Sequence, residues 1–523
     1  MFKNHPKGLI PAALANMGER FGFYTMMAIL TLFLMSKFGL SETEAGGLYS
    51  IFYGAIYILA LAGGLIADST KQYKRTILAG LIVMALGYLI LAMPALITSK
   101  WIALAVLLII AFGNGLFKGN LQALVGQMYD TPEYKKRILE QHGVDENGKP
   151  KKDFRDSGFQ IFYMFINIGG MFAPFAAVFV RNWFVKTQGY FYNSDLPGLC
   201  WSFNNGEMST EVLDGRFTEL ATQVSNGITP DMATFADKYL TAFNTGFHYA
   251  FSVAIVAMLI SMVIFLTFKR ILPDKKLVVV EDKPKMSKEQ IKQDAREIKQ
   301  RILALFAVFG VVIFFWFSFH QNGLTLTMFA KDYTYLKIFD GTRFETSLSA
   351  EIFQSINPFI VVFLTPLIMA IFGAMRKRGK EPSTPKKIGI GMGIAALAFV
   401  VMVLGSMGLP TLNEVKAAGG LSDIERVTPW LLFGTYFILT VAELFISPLG
   451  LSFVSKVAPT HLQGLMQGCW LGATAVGNFS LFLGAMMYKS ISISATWTVF
   501  VVVCLVSMIA MFAMVKWLER VAK

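Results

Sequence analysis

Charged side chains are scarce in this chain of 523 residues. They make up 15% of the total, whereas 54% of the residues are hydrophobic and the mean hydropathy is +0.54. Soluble domains usually carry about 25% charged residues. The shortage of charge therefore excludes a soluble enzyme of this length and predicts a polytopic membrane protein.

Cysteine and histidine are also rare, which limits the chemistry that the chain can perform. The three cysteines imply no disulfide framework. A membrane enzyme with a metal or nucleophile site would need His, Asp or Cys side chains grouped near a membrane face. The five histidines are instead scattered over separate segments, at His5, His142, His248, His320 and His461. We therefore expect no enzymatic activity, no metal and no cofactor.

Long apolar runs dominate the sequence. About 20 mainly apolar residues are needed for one membrane-spanning helix. By that criterion we predict twelve spans, centred near residues 25, 57, 86, 110, 170, 258, 315, 363, 397, 440, 474 and 506. The first run contains Glu19 and Arg20 and is too long for a cleavable signal. The single Asn-x-Ser/Thr sequon, at Asn478, lies inside a span, which favours a bacterial inner membrane.

The net charge of +13 is distributed in a way that argues against nucleic-acid binding. If the N-terminus is cytoplasmic and the spans alternate, the cytoplasmic segments carry 33 Lys and Arg residues and the outside segments 12. Such a skew follows the positive-inside rule. It predicts that both termini are cytoplasmic and that the bilayer, not a nucleic acid, is the partner of this basic chain.

A charged stretch divides the spans into two sets of six. We expect an N-terminal six-helix bundle at 1–268 with an outside loop at 187–246, a cytoplasmic linker at 269–298, and a C-terminal six-helix bundle at 299–523. This all-α arrangement is the layout of the major facilitator fold. The second part of the linker predicts a charged helix, capped by Ser287, that runs into the seventh span. The outside loop is as consistent with a small lid as with an irregular tether.

Four charges lie at bilayer depth, namely Glu19, Arg20, Lys118 and Glu443. Each costs about 2.5–3.5 kcal/mol on insertion scales, so such residues usually face a polar cavity. Transport is therefore the first hypothesis. Because an unpaired buried cation is costly, we expect Lys118 to pair with Glu19 in at least one state. The alternative is a static ion pair with a purely structural role.

Several short motifs contain these charges. They include ERFGFY at 19–24, GGLIADSTKQYKRTI at 63–77, GNGLFKGN at 113–120 and FYMFINIGG at 162–170. The second half has FWFSFHQNG at 315–323, QSINPFIV at 354–361, ELFISPLGL at 443–451 and GLMQGCW at 464–470. In this order and over almost the whole chain, they resemble the signatures of the proton-dependent oligopeptide transporter family.

The resemblance implies a transporter that imports di- and tripeptides together with protons by alternating access, and we expect it to be a monomer. It implies that a peptide lies between Lys118 and Glu443, the latter assisted by asparagines at positions matched by Asn167 and Asn357. The aromatic residues expected to line the pocket are Tyr24, Tyr57, Trp316 and Trp470, although each could instead be a core residue. Proton coupling is expected to involve Glu19, Arg20, Lys118 and His320.

The chain departs from the family pattern at several positions. Asn16 replaces the first glutamate of the first motif, Met27 stands where an arginine helps to hold the peptide carboxylate, and Gly119 replaces a proline. His320 stands where an acidic residue usually precedes the seventh-helix glutamine. It could carry a proton near neutral pH or form a neutral hydrogen bond. These changes are also consistent with a family member that transports another solute, such as an anion, a glycoside or a modified amino acid. Two alternatives from other classes are a receptor and an enzyme on this fold.

Overall fold

The computed structural model describes residues 5–70, 72–129, 131–142, 155–273, 288–338, 346–458 and 463–521. The first part of the chain forms α1 (Leu9–Phe38), α2 (Glu42–Thr70), α3 (Tyr73–Leu91), α4 (Lys100–Met128), α5 (Pro132–His142), α6 (Arg155–Thr187), α7 (Leu196–Asn204), α8 (Thr210–Val212), α9 (Thr218–Val224) and α10 (Met232–Phe268). A π-helical turn, Leu213–Phe217, joins α8 to α9.

The second part begins with α11 (Lys288–Phe319), a 3-10 turn (His320–Gly323) and α12 (Thr325–Tyr333). It continues with β1 (Lys337–Ile338), β2 (Thr346–Ser347), a second 3-10 turn (Ala350–Ser355), α13 (Ile356–Lys377), α14 (Thr384–Gly405), α15 (Leu412–Ala417), α16 (Trp430–Val457), α17 (Gln463–Phe479), α18 (Phe482–Ser490) and α19 (Ile493–Val521). The two strands pair antiparallel, with Lys337 opposite Ser347.

The described residues contain twelve stretches that are long and apolar enough to cross a membrane. Every span centre predicted from the sequence falls inside one of them, so the predicted number and order of spans are confirmed. The segment between the fifth and sixth spans is shorter than predicted, because α10 begins at Met232 and not near residue 246. The first turns of α10, before residue 246, contain Thr, Asn and Lys residues. These residues lower the local hydropathy, so a hydropathy criterion does not detect the start of this helix.

The segment 188–231, which we name the cap, contains helices and is not an irregular tether. Its Trp201 indole donates a hydrogen bond of 2.8 Å to the carbonyl of Ser36, near the end of α1. The Trp201 ring lies against Gly39, whose φ of +61° belongs to the left-handed region that favours glycine. We call the end of the helices at which the cap lies the cap end.

Two compact units contain these elements. Unit 1 comprises 1–26, 55–173 and 251–285, and in it α3 packs along α4. Unit 2 comprises 27–54, 174–250 and 286–523, and in it α14 packs against α16 and α19. The division at 268 and 299 into two six-helix bundles remains a prediction. The linker residues 274–287, including the predicted N-cap Ser287, lie outside the described residues, but α11 confirms a helix that runs into the seventh span.

Close helix packing in unit 1 depends on glycines that face a neighbouring backbone. A Cβ atom on Gly63 of α2 would overlap the carbonyl of Gly115 in α4. A Cβ on Gly80 of α3 would lie 2.6 Å from the carbonyl oxygen of Gly113. Small residues permit such close approach between membrane helices. Gly63 therefore allows α2 and α4 to pack with their backbones in contact.

We predict that Gly63→Ala destabilises the protein whereas Gly64→Ala does not. The Gly63 substitution forces two backbones apart, which should cost about 1–3 kcal/mol, whereas a Cβ on the adjacent Gly64 meets no atom within 4 Å. Melting temperatures measured in detergent would test the difference. Equal melting temperatures for the two variants would contradict this description of the α2–α4 contact.

Candidate functional site

Glu19 is the centre of a buried polar cluster in unit 1. Its side chain is fully buried, and its oxygens accept hydrogen bonds of 2.5 and 2.7 Å from Arg20. The amide of Asn114 on α4 donates a third, also 2.7 Å long. Two neighbouring residues of one helix thus neutralise each other, and the amide from α4 adds a third donor to the carboxylate.

Lys118 follows Asn114 by one helical turn, so both side chains lie on one face of α4. Its Nζ atom lies 4.4 Å from the centre of the Tyr57 ring, which is a cation–π contact. No carboxylate oxygen among the described residues lies within 4.0 Å of this amine. In this structure Glu19 is therefore paired with Arg20 and not with Lys118, and a Glu19–Lys118 pair in another state remains a prediction.

Glu443 is the corresponding charge in unit 2. It lies on α16 one turn after Thr440, and the amide of Asn357 on α13 bridges the two residues. Asn357 Nδ2 donates to Glu443 Oε2 at 2.8 Å and to Thr440 Oγ1 at 3.0 Å. The expected partnership of Asn357 and Glu443 is therefore present. Among the cations whose side chains the structure describes, none lies within 4.0 Å of this buried carboxylate.

The other predicted site residues divide between the two units. Unit 1 contains Tyr24 and Asn167, and the Asn167 amide donates to the carbonyl of Tyr163 within its own helix at 3.0 Å. Unit 2 contains Trp470, which is buried with its ring 6.2 Å from that of Phe309. All are inside or beside a span, and their contact with a solute remains a prediction.

His320 lies at the 3-10 turn that interrupts the seventh span. Its Nδ1 is 2.5 Å from Oδ1 of Asn478, and because an amide oxygen only accepts, the imidazole donates this bond. Trp316 stacks on the imidazole with ring centres 4.8 Å apart, and the Tyr53 ring lies 4.9 Å away. The ring is thus held in place by an amide and two aromatic residues, which suits either role considered for His320.

The sequence did not predict the most deeply buried ion pair in unit 2. Arg181, near the end of α6, pairs with Glu351 in the 3-10 turn before α13, and both side chains are fully buried. Ser349 accepts a further hydrogen bond of 3.1 Å from the guanidinium, whose carbon lies 4.0 Å from the centre of the Tyr192 ring. Arg181 interrupts an apolar run and could have been singled out, but its partner is 170 residues away in sequence.

We predict that Arg181→Met or Glu351→Leu alone destabilises the protein more than the two substitutions together. Each single change leaves one buried charge unpaired, which should cost about 3–5 kcal/mol, whereas an apolar replacement of the whole pair is often close to neutral. Asp423→Asn, in the exposed pair with Lys337, is the control that should change stability little.

Thermal unfolding of the four variants in detergent would test this prediction. A double variant that is as unstable as the sum of the two single variants would contradict it, because additive losses indicate independent residues.

Known proteins match this chain over most of its length. The family model described as the POT family matches residues 74–278 and 273–500. The peptide transporter YePEPT of Yersinia enterocolitica is 27% identical over 502 residues, which cover 92% of this chain and 87% of the relative. The dipeptide and tripeptide permease B of Salmonella typhimurium is 27% identical over 86% of this chain and 81% of its own length.

Two solved structures are similar throughout. The crystal structure of a peptide transporter POT in complex with sulfate has a TM-score of 0.69 at 22% identity, and the match covers 100% of this chain and 96% of that one. A POT family transporter in complex with a thioalcohol conjugated peptide has a TM-score of 0.70 at 19% identity, covering 99% and 98%. These similarities show the fold, and the predicted major facilitator fold is confirmed.

Proposed function

This chain belongs to the POT family, and on that premise we propose that it is a secondary transporter that imports di- and tripeptides or peptide-like solutes together with protons. The family consists of transporters and not of enzymes, which favours transport over the two alternatives from other classes. We place the protein in the bacterial inner membrane as a multi-pass protein with cytoplasmic termini, on the charge distribution and on the bacterial origin of its relatives.

The observation that carries this proposal is the contrast between complete and incomplete charge pairs. Arg20 and Arg181 each have a carboxylate partner, whereas Lys118 and Glu443 have no oppositely charged partner within 4.0 Å among the described residues. Lys118 is half-buried and Glu443 is 9% exposed, so water screens neither of them fully. A short peptide has a terminal carboxylate and a terminal ammonium and would complete both pairs.

The Arg181–Glu351 pair supports an alternating-access mechanism. Arg181 belongs to the predicted first half of the chain and Glu351 to the predicted second half. Their contact therefore joins the two halves at the cap end, and opening there requires both charges to find other partners. We propose that the cap end faces the outside, as the positive-inside rule predicts for the segment that contains the cap.

We assign proton coupling to Glu19, Arg20, Lys118 and His320. In a state in which Lys118 pairs with Glu19, protonation of that carboxylate would release the amine to bind a substrate carboxylate. Asn114, which already donates to Glu19, would hold the protonated carboxyl group in place. His320 would carry a second proton through its imidazole.

A second candidate is a POT transporter of a non-peptide solute. Met27 and Asn16, both buried, stand where the family motif carries an arginine and a glutamate. The part of the site that binds anions has therefore lost one cation, and the part that handles protons has lost one carboxylate. Simple dipeptides with a free carboxylate would then bind weakly, and capped or modified compounds would compete better. As the residues assigned to the site all lie in one chain, we propose a monomer as the transporting unit.

We predict that purified protein in proteoliposomes accumulates labelled dialanine when an inward proton gradient is imposed. Glu443→Gln should reduce the apparent affinity about tenfold, since a charge-assisted hydrogen bond contributes about 1.5–3 kcal/mol. Glu211→Gln, an exposed carboxylate of the cap, serves as the control and should transport normally. Competition by unlabelled dialanine, capped peptides, glycosides and small anions would identify the substrate class.

Failure of every peptide to compete, with effective competition by one of the other classes, would favour the second candidate. Gradient-independent uptake of dialanine would retain the peptide substrate and reject proton coupling.

A separate prediction concerns His320. If its imidazole carries a proton, both His320→Ala and His320→Gln should lose proton-driven accumulation and retain the exchange of internal for external substrate. If the ring serves only as a hydrogen-bond donor to Asn478, the glutamine amide would replace it and His320→Gln would still accumulate substrate. Measuring both variants against an imposed gradient therefore separates a proton carrier from a structural donor.

A further inference from the structure

A polar cavity lies at the cap end of unit 2, and none of the residues assigned to substrate and protons lines it. Its volume is about 340 Å³, within the size range of small-molecule sites. Buried residues form its inner wall, including Glu42 at the start of α2, Asp332 on α12 and Leu199 of the cap. Asn205 and Glu207 of the cap and Lys416 of α15 form an exposed rim. We name this space the cap cavity.

Most charges around the cap cavity have complete sets of partners. Asp332 lies 2.9 Å from Nζ of Lys331 and accepts a hydrogen bond of 3.1 Å from Tyr488. Asp195 accepts a hydrogen bond of 2.6 Å from Arg426, which fixes the cap to the segment before α16. These pairs hold the wall of the cavity together and leave little acceptor capacity for a ligand.

Glu42 is the exception. It is fully buried, and its only ion-pair partner among the described residues is Lys416, whose Nζ lies 2.6 Å from Oε1. The other oxygen, Oε2, is buried and accepts no hydrogen bond from any described residue. Burying an ionised acceptor without a donor costs more free energy than burying a neutral one. We therefore expect Glu42 Oε2 to bind a positively charged donor in preference to a neutral one.

We propose that the cap cavity is an entry site that binds the primary ammonium group of an incoming solute, with Glu42 Oε2 as its acceptor. The choice of a short peptide as that solute rests on the proposed function. A compact ammonium group with three N–H donors suits a single carboxylate oxygen at the wall of a small cavity. The rim residues leave the cavity accessible while the Arg181–Glu351 pair is closed.

The cavity is also connected to that ion pair. The Tyr192 ring lines the cavity and contacts the Arg181 guanidinium. A solute in the entry site would therefore contact Tyr192, which packs against the ion pair that joins the two predicted halves. Binding at Glu42 would place the solute next to the contact that must open before it can move further.

Thiol labelling measures occupancy of the cap cavity directly. Ser194 lines the cavity, so Ser194→Cys reacts with N-ethylmaleimide only while the cavity is empty. The background carries Glu443→Gln, to disable the proposed central site, and Cys469→Ser, because Cys469 is only half-buried. Burial raises the pKa of the Cys200 thiol, so this native cysteine stays protonated and unreactive.

We predict that dialanine slows the labelling of Ser194→Cys and that N-acetyl-dialanine, which has no ammonium group, does not. Adding Glu42→Gln should raise the dialanine concentration that gives half-protection about tenfold, the loss expected for one charge-assisted hydrogen bond. Glu219→Gln, an exposed carboxylate of the cap 3.6 Å from Arg216, is the matched control and should leave protection unchanged.

Three results would overturn the entry site: equal protection by both compounds, protection that Glu42→Gln leaves unchanged, or no protection, which would mean that Glu42 Oε2 binds only water. The comparison of the two compounds needs no change at Glu42, so it holds even if that variant folds poorly. Protection without uptake in the native protein would reject peptide transport alone, and uptake without protection would reject the entry site alone.

Discussion

The loss of hydration on burying a charge is the constraint on which this structure depends. Each buried charge must be compensated by an opposite charge or by hydrogen bonds, since its desolvation costs several kcal/mol. Arg20 with Glu19 and Arg181 with Glu351 satisfy the constraint within the protein. Glu443 satisfies it only in part, through the amide of Asn357. The complete pairs are thus neutralised within the protein, and we propose that a solute completes the incomplete ones.

The twelve spans were predictable because the bilayer sets their length. An apolar run of the required size has few alternatives in lipid, so the positions of these runs predict the number and order of the spans. The candidate site was predictable for a related reason: Glu19, Lys118 and Glu443 are conspicuous because the surrounding sequence is apolar. Asn114 was missed, although its position one turn before Lys118 on α4 offered a signal.

The partners of these charges could not be predicted, since they depend on tertiary packing. The sequence around Arg181 does not indicate that its partner is Glu351. Likewise, the sequence around Lys118 does not indicate that its amine contacts the Tyr57 ring in this state and is not paired with Glu19. The cap is a similar case: its short polar helices have no hydropathy signal, and contacts with distant residues, such as Trp201 with Ser36 and Asp195 with Arg426, fix its position. In the sequence, Glu42 is an acidic residue at a predicted helix start, where the helix dipole favours a negative charge. Nothing in the sequence indicates that its carboxylate is buried.

Unit 2 therefore contains two carboxylates suited to an ammonium group, Glu42 and Glu443. Each of them is connected to the Arg181–Glu351 ion pair. Asn357, which binds Glu443, follows Glu351 by six residues, or about 11 Å of rise along the 3-10 turn and the start of α13. On the other side, Tyr192 contacts Arg181 and lines the cavity that contains Glu42. On the entry-site proposal, an ammonium group would pass from Glu42 to Glu443 after Arg181 and Glu351 separate. In that proposal, the buried pair that stabilises the cap end would also control the passage of the solute.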